Sequence, residues 1–148
     1  PERATEILDH VTYVAAQDNI TFNMDIAVRA NTFLAHRLLS YALKQHGAVV
    51  QIPLKERLMD AYFTDGKNIS DIDVLADCAE SAGIDRNEAH TFLLGDELVD
   101  EVRSEIAEAA EYGVTAVPTF IINGQWSVPG AQDVEMFERI IERILEKA

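Results

Sequence analysis

The chain has 148 residues, 48% of them hydrophobic, and a net charge of −14 from 26 acidic and 12 basic side chains. That length fits one domain with a buried core, and that hydrophobic content excludes a disordered chain. The acidic balance repels nucleic acid and anionic lipid, and no apolar run approaches the roughly 20 residues a membrane span needs.

The first 17 residues suit a helix, with Pro1 in its first turn and Ile7, Val11 and Val14 at helical spacing. Residues 18–29 read as a loop. Asn31 is placed to N-cap a helix to about Gln45, with Leu34, Leu38 and Ala42 on one face and Gly47 just past its end. The run Ala48 to Ile52 reads either as a short strand or as a helix start. A helix is expected from about Leu54 to Phe63, after Pro53, and Gly66 to Asn68 break the pattern. Ser70 with Asp73 resembles a capping box for a helix to Ser81, and Asp85 with Glu88 a second one for a helix to Leu94. Gly95-Asp96 opens a long helix to Tyr112, with Leu98, Val102, Ile106 and Ala109 inward and Gly113 as its cap.

The remainder is a strand-turn-strand-helix unit. Thr119 to Ile122 reads as a buried strand, and Gln125 to Val128 as its returning partner. Asn123-Gly124 between them is the strongest short hairpin signal, because a type I′ turn needs φ > 0 at both central residues. Gln132 or Asp133 starts a last helix with Val134, Phe137, Ile140, Ile141 and Ile144 as its apolar stripe. The fold class is therefore α+β and mostly helical, divided as 1–112 and 113–148. A lone hairpin is marginal in water, so its apolar strands want a neighbouring strand. Pro118 donates no ladder hydrogen bond; either it merely starts the strand or it keeps an edge open.

Chemistry-bearing residues are few. Cys78 is the single cysteine, which excludes an intrachain disulfide and a CxxC pair and fits a reducing, cytoplasmic setting. Its spacing from Val74 and Leu75 makes it a small core residue. His10, His36, His46 and His90 lack metal-ligand spacing, and no GxGxxG, P-loop or GxSxG occurs. No metal or resident cofactor is expected.

Three ordered stretches carry a resemblance: "ANTFLAHRLLSYA", "AYFTDGKNISDIDVLADCAESAGID", and "GVTAVPTF" followed by a hairpin and "VPGAQ". Together they resemble the FrnE-like branch of the DsbA family of thioredoxin-like oxidoreductases. The resemblance implies an incomplete thioredoxin-like (DsbA-type) fold, in which a helical insertion is followed by a β-hairpin and a C-terminal helix. The family's first strand, CxxC helix and second strand would precede Pro1, so the chain is expected to be a redox-inactive piece of a longer protein.

What the resemblance implies for the site is specific. Val117 and a cis Pro118 would face the substrate, an extended peptide or small molecule bearing a thiol or disulfide. His36, in the "AHRL" run, would lie near the reacting sulfur; its competitor reading is a histidine hydrogen-bonded within the helical block. Gln132 and Asp133, at a helix N-terminus, would receive an anion or glutathione in glutathione-dependent relatives of the 2-hydroxychromene-2-carboxylate isomerase kind, while the preferred reading of Asp133 is a plain helix cap. Glutathione is the one co-substrate so implied. A non-enzymatic helical binding module is the alternative of a different class. The bare inner edge of the hairpin is expected to be filled either by residues preceding Pro1 or by pairing of two copies as a homodimer.

Overall fold

The computed structural model describes residues 2–147. Seven helices and one hairpin follow in the order α1 (Glu2–Gln17), α2 (Phe33–His46), α3 (Ala48–Met59), α4 (Ile72–Ser81), α5 (Arg86–Leu94), α6 (Val99–Glu111), β1 (Thr119–Ile122), β2 (Trp126–Pro129) and α7 (Val134–Leu145). The chain forms two compact units, 1–102 and 103–148, and α6 runs through the division; the secondary structure alone suggests 112/113. No helix among the described residues is long and apolar enough to cross a membrane. The expected first-turn residue Pro1 lies outside the described residues.

The helical unit is built on a core of α2, α3, α4 and α5. Leu38, Leu54 and Leu75 are fully enclosed, and Ala42, Ala61, Ala76, Ala79 and Ala89 among them keep the helix axes close. Cys78 sits in this core.

Several boundaries depart from expectation, each for a local reason. Residues 48–52 take the second of their two readings, a helix start, so the helix expected from Leu54 begins at Ala48. Gly47, at φ +79°, turns the chain, and its carbonyl accepts from both Val50 and Gln51, which starts α3 early. Pro53 then lies inside α3; the carbonyl it leaves unpaired is that of Val49, whose residue is exposed to water. The helix ends in a widened π turn, Asp60–Thr64, closed by Asp65 N–H donating to the Asp60 carbonyl at 2.9 Å. That turn anchors the loop after α1. Asn23 N–H donates to the Phe63 carbonyl at 2.7 Å, the Thr64 hydroxyl donates to the Thr21 carbonyl at 2.7 Å, and Phe22 stacks on Phe63.

The cap of α4 is Asp71, not Ser70: its carboxylate accepts from the Asp73 and Val74 amides, while the Ser70 hydroxyl bonds Asn68 instead. The cap of α2 is Thr32, with the Asn31 side chain one residue earlier accepting from Phe33 N–H at 2.9 Å. Asp85 caps α5 as read, accepting from Asn87 and Glu88. Helix α6 starts at Val99, because Leu98 adopts φ +62° and breaks the helix expected from Gly95-Asp96. Val102 is buried, but Ile106, expected inward, is 56% exposed.

The second unit is the hairpin with α7. Strands β1 and β2 pair antiparallel with Thr119 opposite Pro129 and Ile122 opposite Trp126, one residue later on the second strand than the motif suggests. Asn123 and Gly124 both have positive φ, and Gln125 N–H donates back to the Ile122 carbonyl at 3.1 Å. Phe137 meets Phe120 edge to face at 4.9 Å, and Ile144 is buried. Val134 and Ile141, expected within the stripe, are exposed. Two strands are too narrow to cover more of the helix than the line Phe137, Ile140, Ile144.

Candidate functional site

The segment between α6 and β1 is held from both ends. Gly113, at φ +75°, ends α6; its amide donates to the Ala110 carbonyl and that of Val114 to the Ala109 carbonyl. The Thr119 hydroxyl donates to the Ala116 carbonyl at 2.7 Å, and Gly130 N–H donates to the Pro118 carbonyl at 2.8 Å. The Val117–Pro118 peptide is cis. Between these anchors Val117 stands out, 88% exposed. Its own N–H and C=O take no partner among the described residues.

Gln132 and Asp133 lie in the same unit, and both side chains are engaged. Gln132 Nε2 donates to the Pro129 carbonyl at 3.0 Å. Asp133 Oδ1 accepts the Met136 amide at 2.7 Å, which makes it the N-cap of α7. An anion approaching this helix end meets a carboxylate that already holds one amide.

His36 belongs to the helical unit. It is exposed on α2 and lines a cavity of about 330 Å³ between α2, α3 and the π turn. The hydrogen bond offered by its competitor reading is not formed among the described residues. The structure thus brings Val117, Pro118, Gln132 and Asp133 into one unit and places His36 in the other.

Cys78 is 3% exposed, and burial pushes its thiol above the usual range. Neither change favours the thiolate that nucleophilic sulfur requires.

Two polar features escape the sequence reading. Arg37, 3% exposed, donates from Nε to the Glu97 carbonyl at 3.0 Å and from its terminal nitrogen to the Gly95 carbonyl at 2.8 Å. It thereby closes the negative end of α5 and lies over the Phe92 ring. Its signal is the position three residues after Leu34, on the apolar face of α2. The second is Tyr41. Its hydroxyl donates to Glu88 Oε1 at 2.6 Å, its ring stacks on Phe92, and His46 Nε2 lies 3.0 Å from the same carboxylate oxygen. Burial foremost, and then the bond to Glu88, push the Tyr41 hydroxyl up to about 12.

A family profile described as DSBA-like thioredoxin domain matches residues 1–142. Over 86 residues, 57% of this chain, the sequence is 38% identical to the uncharacterized protein YwbO of Bacillus subtilis (strain 168), and covers 42% of that protein. The fold is similar to the crystal structure of a probable DsbA oxidoreductase from Streptomyces coelicolor, with a TM-score of 0.87 and 28% identity. That likeness takes in 99% of this chain and 62% of the other. The chain therefore spans less than two thirds of the length of either relative.

Proposed function

The chain belongs to the DSBA-like thioredoxin domain family, and we propose that it forms the substrate-facing part of a thiol–disulfide oxidoreductase acting on disulfides of proteins or small thiols. The observation that carries this reading is Val117. Its backbone donor and acceptor are unused and exposed, on a segment fixed by the Gly130–Pro118 and Thr119–Ala116 bonds. An extended peptide pairs with such a segment as an added strand, main chain to main chain.

The chemistry of this class is exchange. A thiolate attacks one sulfur of the substrate disulfide, the other sulfur leaves as a thiolate, and a second thiol resolves the mixed disulfide. Cys78 is the single cysteine and is buried, so we assign it neither role and propose that the 148-residue chain alone performs no exchange. Glutathione enters this reading as a small-thiol substrate. The Asp133 cap argues against a glutathione carboxylate at the α7 N-terminus. A reducing, cytoplasmic setting belongs to the same proposal and rests on the sparse cysteine use.

Two measurements test it. Amide chemical shifts of the labelled chain, titrated with an unfolded, thiol-blocked polypeptide, are expected to move first at Val117 and Thr119. Shifts confined to the helical unit would overturn the assignment. Insulin reduction by the same chain is expected to match the blank, and turnover abolished by Cys78→Ala would refute the inactive role given to that residue.

A further inference from the structure

The turn at the tip of the hairpin brings together two groups that react with each other. An asparagine side chain is open to attack at its carbonyl carbon by the main-chain nitrogen of the next residue when neither group is engaged. The chain has six asparagines, and at five of them one of the two groups is taken. The Asn23 side chain donates to the Thr64 carbonyl, and those of Asn31 and Asn68 accept from the Phe33 and Ser70 amides. After Asn19 and Asn87 it is the next amide that is held: Ile20 N–H donates to the Ala15 carbonyl at 2.9 Å and Glu88 N–H to Asp85 Oδ1 at 3.0 Å. At Asn123 both are available. Its side chain and the Gly124 N–H take no partner among the described residues, because a two-residue turn closes through the following amide, here Gln125 N–H to the Ile122 carbonyl. Both residues are exposed. Gly124 has no side chain to shield its nitrogen. Among the described residues beyond its chain neighbours, the Tyr112 hydroxyl, 3.8 Å away, is the one atom near where a Cβ would stand.

We propose that Asn123 is a self-modification site, at which the folded chain deamidates and thereby opens its own hairpin. The Gly124 nitrogen forms a bond to Cγ of Asn123. The bond from Cγ to the side-chain nitrogen breaks, and that nitrogen leaves as ammonia, carrying the proton of the Gly124 amide. One water then opens the cyclic imide. Breaking the new bond leaves aspartate; breaking the original main-chain bond leaves isoaspartate. Water enters, ammonia leaves, and no oxidant, reductant or cofactor is used. The hairpin has four residue pairs, and one so short frays at its tip, which lets the side chain reach the nitrogen. The two products differ in what they do to the fold. Aspartate tolerates the φ of +53° at position 123, and Asp-Gly serves a type I′ turn as Asn-Gly does. Isoaspartate threads the main chain through the former side chain and adds a methylene between Ile122 and Gly124. The Gln125–Ile122 bond and the pairing of Ile122 with Trp126 then no longer fit a two-residue turn, and the strands unpair from the tip.

This inference stands on the hairpin alone and does not rest on the peptide reading of Val117. Its test incubates the freshly purified 148-residue chain in mildly alkaline buffer. Ammonia release is followed over time, peptide mass spectrometry with electron-transfer fragmentation separates isoaspartate from aspartate, and amide spectra are recorded in parallel. Conversion at Asn123 is expected to run at least threefold faster than at any other asparagine. The native amide signals of Ile122, Gln125 and Trp126 are expected to be lost in proportion to the isoaspartate formed, while those of the helical unit persist. In Asn123→Asp, a change the turn accepts, initial ammonia release is expected to fall at least threefold. Conversion at Asn123 no faster than at Asn19 or Asn87, ammonia release unchanged in Asn123→Asp, or native hairpin signals in the isoaspartate-bearing chain would each overturn the proposal.

Discussion

At the scale of single residues, Gly66 shows how one position ties two stretches together. It has φ +64°, and a Cβ there would stand 2.8 Å from both Cγ1 and the carbonyl oxygen of Ile26. The side chain of Ile26 could move aside; its backbone, held by its N–H to Asn23, could not. Left-handed backbone alone costs a non-glycine residue about 1–2 kcal/mol. Gly66→Ala is therefore expected to lower the stability of the helical unit by roughly 2–3 kcal/mol, read from urea unfolding by circular dichroism. Adding Ile26→Ala should recover only part of the loss, and an unperturbed Gly66→Ala would mean that the loop after α1 is not packed as described. Tyr41 gives a second test. Its folded-state value, about 12, lies above the ordinary 10.0. A raised value means that the folded chain holds the proton more tightly. The corresponding stability is complete below pH 10 and is lost as pH rises through about 12. Phenolate absorbance, taken as the difference from Tyr41→Phe, is expected to develop near the top of that window. Glu88→Gln should lower the midpoint without restoring it fully, because burial is the larger cause. A midpoint near 10 in the wild type would show the hydroxyl to be neither shielded from water nor bonded to Glu88.

At the scale of elements, what the sequence makes legible is what is decided locally. The Asn123-Gly124 turn, the Asp85 cap and the Asp133 cap each depend on two or three neighbouring residues, and each is formed. Ser70 and Asp71 compete for one cap, and spacing could not arbitrate; Asn68 decides it by taking the Ser70 hydroxyl. Pro53 argues for a helix start, but the turn at Gly47 begins α3 earlier and the proline is carried on its exposed side. The inward stripe of α7 was legible in period but not in width, because width depends on how many strands lie beneath it. The candidate site divides the same way. The strand start at Thr119 is visible in the sequence and the outward Val117 follows from the resemblance, whereas the cavity at His36 arises only when α2, α3 and the π turn meet. For Asp133 the two readings separate experimentally. As a cap, Asp133→Ala is expected to cost about 1 kcal/mol and Asp133→Asn much less, both measured by thermal unfolding. If the carboxylate instead guarded an anion site, Asp133→Ala would bind glutathione measurably tighter with little change in stability.

At the scale of the whole molecule, two forces act on association in opposite directions. Among the described residues β1 pairs only with β2, so its outer edge presents unpaired backbone groups beside apolar side chains, Phe120 being 41% exposed. Such an edge pairs readily with another strand, and the apolar area it buries contributes about 25 cal/mol per Å². Charge opposes this, but unevenly. Residues 103–148 carry eight acidic and four basic side chains, so most of the −14 resides on the helical unit. Two copies meeting through their hairpins would bring together the less charged parts. The 148-residue chain is therefore expected to self-associate with increasing concentration. The association should strengthen between about 0.01 M and about 1 M salt, where the screening length falls from about 30 Å to about 3 Å. Light scattering coupled to size exclusion reads both dependences. Association that weakens with salt would point to complementary charge in place of an apolar strand edge. A chain that stays monomeric at every concentration and salt would show that the hairpin and α7 already cover what the second unit needs, and that the open edge of β1 is no driving force.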